Sequence, residues 1–217
     1  MNLWLVRHTR PLIAAGICYG QLDMAADAQA TRECAQKLAE LLPTGSSVVS
    51  SPLQRCEQLT TVLIGHRADL VYKTDPKLKE MDFGDWEGRA WADIAKNELE
   101  EWTDNFASYK AGHSGESVAQ FMARVAQAFD ELSLAADTLW ITHAGVIRAV
   151  ELIASGKRHI QRADQWPTAA PAYGQWCKLS LSLHVRGAIQ GSHVQCNTLT
   201  GDGSRIKSGM TGWLKKK

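Results

Sequence analysis

The sequence predicts an α/β fold, a sandwich built on a mainly parallel sheet, and three observations lead there. Short apolar runs alternate with segments whose apolar residues recur at helical spacing, the pattern of strands joined by crossover helices. Two of the runs, "LWLV" (3–6) and "TLWIT" (138–142), read as short buried strands. At 217 residues, with 45% hydrophobic and 22% charged side chains, the chain has the size and composition of one such domain with a sizeable core.

The elements follow in order. After the first strand and a Gly/Tyr-containing loop, residues 25–42 form a helix with Cys34, Leu38, Leu41 and Leu42 at helical spacing. "SSVVS" (46–50) is a second strand, and a helix follows with Ser51 as its N-cap and Pro52 at its first position. "DLVYK" (69–73) is a third strand. Residues 75–89 carry turn residues and charges and read as a loop, and 90–110 as two short helices. From Glu116 to Leu132 the residues Val118, Phe121, Met122, Val125, Phe129 and Leu132 mark one face of a long helix. The 138–142 strand leads through His143, Ala144 and Gly145 into the helix "VIRAVELIA". "KLSLSLHV" (178–185) alternates as a strand with one exposed face does. The domain is expected to span 1–186. From Gly187 the chain has six glycines, few large apolar groups and a terminal "KKK", so 187–217 reads as a loosely packed tail.

Bulk properties exclude some functions. A net charge of +1 argues against nucleic-acid or membrane-surface binding driven by electrostatics. No apolar run approaches the roughly 20 residues of a membrane span, and Arg7 interrupts the N-terminal apolar stretch before it could act as a signal peptide. Cys18, Cys34, Cys56, Cys177 and Cys196 are an odd, irregularly spaced set. They form neither a disulfide framework nor a zinc pattern, and fit a reducing cytoplasm.

Both buried strands run directly into a histidine, His8 and His143. Ligands of open α/β sheets collect outside the carboxyl ends of the strands, so two parallel strands would bring both histidines to one edge. Arg7 and Arg55 join them, Arg55 in the first turns of the helix after "VVSSP". Burying an arginine is costly unless an anion pairs with it, and guanidinium is the donor best matched to phosphate. Taken singly, a histidine after a strand reads first as a hydrogen-bonded structural residue, and an arginine early in a helix as a surface charge. The four together, at strand ends and a helix start, are harder to read that way, and an oxyanion site weighs evenly against it.

"LVRHTRP", "SSPLQRCEQL", "LKEMDFGDWEG", "SGES" and "ITHAGVIR" resemble, in order, the motifs of the histidine phosphatase superfamily. The branch resembled is the phosphoglycerate mutase-like one, and within it most of all the α-ribazole phosphatase-type enzymes. The resemblance covers residues 3 to about 150 and implies a three-layer α/β/α sandwich. It implies that His8 is the nucleophile, transiently phosphorylated; that Arg7, Arg55, His143 and the backbone N–H of Ala144 hold phosphoryl oxygens; and that Glu80 gives a proton to the leaving oxygen. It implies a small phosphorylated metabolite as partner and no metal or cofactor; the charge and hydropathy above speak against nucleic acid and membrane as partners, and a homodimer is left open. Neutral imidazole is a competent nucleophile once its other nitrogen is fixed, and arginines can supply the charge a metal would otherwise bring.

The first motif departs from the family's usual Arg-His-Gly-Glu: Thr9 and Arg10 follow His8, and Ala14 stands where an asparagine is common. Thr9, Arg10 or Gln21 could replace the missing phosphate donor. In "GICYGQLD" (16–23), Tyr19, Gln21 and Asp23 are candidate pocket contacts, as are Trp86 and Glu87 in "GDWEG" and Trp166 in "RADQWP"; each reads equally as packing. Two alternatives remain beside a phosphatase. A phosphoglycerate mutase is disfavoured by the short stretch between Glu80 and "SGES", and a non-catalytic phospho-ligand binder is disfavoured by the intact set of five residues.

Overall fold

A computed structural model of the chain describes residues 1–183 and 189–196. The elements are β1 (Asn2–Arg7), α1 (Ala28–Leu41), β2 (Ser47–Ser50), α2 (Gln54–His66), β3 (Val71–Thr74), α3 (Lys96–Asp104), α4 (Val118–Asp130), β4 (Thr138–Thr142), α5 (Ala144–Ala154), β5 (Trp176–Leu183) and β6 (Ile189–Cys196). One six-stranded sheet has the order β3-β2-β4-β1-β5-β6. The first four of these are mutually parallel, and β5 and β6 extend the sheet in antiparallel steps.

The two-residue period of a strand explains the layers. Leu3 and Leu5 of β1 pack into one core with Trp140 and the apolar faces of α4 and α5. Trp4 and Val6 enter the opposite core with Leu139, Ile141, α1 and α2. Both sheet faces are thus covered, giving the expected α/β/α sandwich. Helix α4 starts where Ser117 and Gln120 form a reciprocal capping box. Among the described residues no helix is long and apolar enough to cross a membrane.

Three readings need correction. Helix α2 begins at Gln54, not at Pro52. Leu53 holds the N-cap position, so Ser51 stands two residues too early: its N–H continues the ladder to Ile141 O (2.9 Å), and its hydroxyl accepts from the Leu53 N–H (3.4 Å) and lies 2.8 Å from His143 Nε2. The Gln54 N–H is capped by Asp23 Oδ1 (2.7 Å), which reaches across from the 16–23 loop. Second, the segment expected as a tail contributes β6, paired along β5; the rest of that tail lies outside the described residues. Third, Cys177 is disulfide-bonded, which the irregular spacing of the cysteines does not announce.

Candidate active site

Register builds the site. Arg7 of β1 pairs with Thr142 of β4, so the next residues, His8 and His143, leave the sheet side by side. The His8 N–H donates to Thr142 O (2.9 Å), and the two imidazole centroids are 5.1 Å apart. On the far side of β4, β2 ends with Ser50 beside Ile141, which delivers Ser51 and then Arg55, in the first turn of α2, to the same edge. Arg7, His8, Arg55 and His143 are all buried.

The His8 Nδ1 lies 2.7 Å from Thr9 O. A carbonyl only accepts, so this contact places the proton on Nδ1 and leaves the Nε2 lone pair to act. Burial, then the charges of Arg55 and Arg7, hold the His8 pKa well below the ordinary imidazole value. The ring is therefore neutral at pH 7. His143 is likewise held low by burial and then by Arg55. Its Nε2 meets Ser51 Oγ, with the buried Cys56 thiol 3.6 Å away.

The two arginines are oriented by backbone carbonyls. Arg55 donates to Leu22 O (3.0 Å) and Gly20 O (2.6 Å), while Arg7 donates to Pro171 O (3.2 Å). The Nε of each and Nδ1 of His143 are buried without a hydrogen-bond partner. An unpaired buried polar atom costs about 1–3 kcal/mol, and these three belong to residues grouped about His8. The two guanidinium charges would draw an oxyanion to His8.

Glu80 arrives on the loop after β3. Its carboxylate accepts from the N–H of Met81 (3.0 Å) and of Gly145 (3.0 Å), in the first turn of α5. A Cβ at position 145 would sit 2.1 Å from Glu80 Oε1, so only glycine permits this approach. Arg124 of α4 fixes the loop, donating to the carbonyls of Lys77, Lys79 and Glu80 while it pairs with Glu116 at 2.7 Å.

Arg7, His8, Glu80 and Ala144 open onto one cavity of about 200 Å³. Arg55 and His143 are fully buried and do not line it. Its outer wall is mostly apolar: Ile13, Ile17, Phe83, Trp91, Phe121 and Trp166. Of the residues proposed for substrate, Arg10, Tyr19 and Trp166 line the cavity, as does Ala14.

The others do not. Thr9 turns its hydroxyl away to Thr31 of α1 (2.7 Å) and serves His8 only through its carbonyl. Gln21 donates from its side chain to Glu80 O (3.3 Å), tying two loops together. Glu87 accepts from the N–H groups of Gln21, Leu22 and Phe83, which makes it a loop anchor. Trp86 is fully buried among Trp91, Trp102 and Tyr109, with its indole N–H on Glu98 (2.7 Å). It belongs to the core, because the loop folds it inward beneath α3.

Sequence reading missed two residues. Tyr173 lays its ring 3.8 Å from the Arg7 guanidinium carbon, 5.6 Å from the His8 ring, and bonds the Tyr19 hydroxyl at 2.6 Å. No local pattern marks it. Arg148, a buried cavity-lining cation, did leave a trace, the single charge inside "GVIRAV".

A family profile described as histidine phosphatase superfamily (branch 1) matches residues 3–181. No curated protein matches the sequence significantly. Among solved structures, a mycobacterial glucosyl-3-phosphoglycerate phosphatase superposes with a TM-score of 0.70 at 23% identity, over 90% of this chain and 96% of that one. The α-ribazole phosphatase of Shigella flexneri gives 0.70 at 23% identity, over 88% and 95%. TTHB049 of Thermus thermophilus gives 0.61 at 27% identity, over 82% and 93%.

Proposed function

Because this chain belongs to the histidine phosphatase superfamily (branch 1), we propose that it hydrolyses a small phosphomonoester through a phosphohistidine on His8, without a metal ion. The observation that carries this reading is a neutral His8, its Nδ1 held by Thr9 O and its Nε2 free to attack, lining one cavity with Arg7 and Glu80 and under the charges of Arg55 and Arg7.

In the first step Nε2 forms a bond to phosphorus as the bond to the leaving oxygen breaks, and the Glu80 carboxyl gives that oxygen its proton. In the second, water attacks phosphorus, Glu80 takes the water's proton, and the P–N bond breaks to return His8 and release phosphate. The guanidinium groups of Arg7 and Arg55 neutralise charge on the equatorial oxygens, which is most of what phosphoryl transfer requires.

The apolar wall favours an ester whose alcohol has a large apolar surface. The flat base of α-ribazole 5′-phosphate answers that description, and the likeness to an α-ribazole phosphatase supports testing it. The experiment is phosphate release from this ester and a panel of small phosphomonoesters, with chelator present, for wild type and His8→Ala. Release lost in the variant, with acid-labile phosphate trapped on wild type, is expected. Full activity in His8→Ala, or activity abolished by chelator, overturns the mechanism. Activity spread evenly over the panel overturns only the choice of substrate.

A further inference from the structure

Residues 167–173, "PTAAPAY", run across the site between α5 and β5 without regular secondary structure until the turn at Tyr173. Their side chains are mostly small and only Pro171 is buried, so apolar packing cannot fix this strap. Its carbonyls are gripped instead. Arg148 of α5 donates from Nε to Ala169 O (3.1 Å) and from Nη2 to Thr168 O (3.4 Å). Arg7 donates to Pro171 O further along. Beyond it, the Gly174 N–H returns to the carbonyls of Arg7 (3.0 Å) and His8 (3.2 Å), closing the strap onto the nucleophile strand.

The Arg7 guanidinium is thereby located twice by the strap, through Pro171 O and through the Tyr173 ring. Arg148 grips the same strap two residues upstream of Pro171, from a different element. We propose that Arg148 is a positioning residue: it clamps the 167–173 strap over the site and so seats Tyr173 and Pro171 on Arg7, setting the direction in which Arg7 meets a phosphoryl oxygen. This rests on the phosphoryl-transfer reading of the site. Burial pushes the Arg148 pKa down to about 10, which leaves the clamp charged throughout the working pH range.

The test compares Arg148→Met, Arg148→Lys, Tyr173→Ala and the Arg148→Met/Tyr173→Ala pair, each checked for folding by circular dichroism. If Arg148 acts through the strap, each of the first and third lowers kcat/KM by roughly 30-fold, within the range a misplacement of about 1 Å produces. The pair then loses no more than the worse single variant, because both remove one device. Arg148→Lys, which keeps a cation able to reach one carbonyl, recovers most of the loss. Multiplying losses in the pair, or an unimpaired Arg148→Met, overturns the proposal.

Two readouts stand without turnover. Chymotrypsin should cut after Tyr173 at least tenfold faster in Arg148→Met than in wild type, and orthovanadate should bind about tenfold more weakly in both single variants. Unchanged cleavage and unchanged vanadate affinity refute the clamp even if wild type hydrolyses no ester. Absence of turnover in wild type, with both readouts as expected, faults the functional reading alone.

Discussion

Moving this protein from pH 7.5 to pH 5.5 is expected to remove about 3 kcal/mol of stability, by way of His8 and His143. Both are fully buried and held well below the ordinary imidazole pKa, by desolvation first and the Arg55 charge second. In the unfolded chain each titrates near about 6.5. Below that pH the unfolded chain binds protons that the folded one refuses. The contribution is therefore complete above about pH 6.5 and is lost as the pH falls towards the folded-state values. An imidazole kept neutral in the fold at pH 5.5 costs about 1–2 kcal/mol, so two cost about 3 kcal/mol, or roughly 6–12 °C in Tm for a chain of this size. Most unperturbed carboxylates are still ionised there, so the histidines dominate the slope. Urea unfolding at pH 7.5, 6.5 and 5.5, in buffer without phosphate, measures it, and His8→Ala should show about half the wild-type dependence. Stability that stays level to within about 0.5 kcal/mol down to pH 5.5 would falsify the claim that both rings are neutral in the fold, and with it the account of the nucleophile.

Three substitutions separate the roles of individual groups. Gly145→Ala drives a methyl into Glu80 and should lower kcat about 100-fold for alkyl phosphates, yet far less for p-nitrophenyl phosphate, whose leaving group needs no proton. Equal losses on both would show that Glu80 is not the acid. Thr9→Val keeps the carbonyl that orients His8 and removes only the hydroxyl on Thr31, so kcat should stay within about twofold while stability falls by about 1 kcal/mol; a collapse of kcat would return the side chain to the phosphate site. Trp86→Ala should cost about 3–5 kcal/mol in denaturant unfolding. Assayed well below its Tm, its KM should match wild type, and a raised KM would place Trp86 in the substrate pocket after all.

Sequence alone determined the parts of this protein that depend on near neighbours. The continuous apolar runs of β1 and β4 are what a strand buried on both faces must look like, and they fixed the layers and the shared edge where His8 and His143 emerge. Arg55 was legible for the same reason, one turn into the helix that follows a strand. The order of motifs named the family and the carboxylate at Glu80.

Contacts between distant segments were decided by the tertiary structure. Nothing in "PTAAPAY" signals that it covers the site, because its grip comes from arginines far away in sequence, Arg148 and Arg7. Asp23 caps a helix thirty-one residues on. Thr9 spends its hydroxyl on α1 and only its carbonyl on the nucleophile. Trp86 could have faced solvent, substrate or core until α3 and its aromatic neighbours closed over it. Periodicity reports which face of an element is buried; which polar atom meets which is set when elements far apart in the chain pack together and each buried donor must find an acceptor within reach.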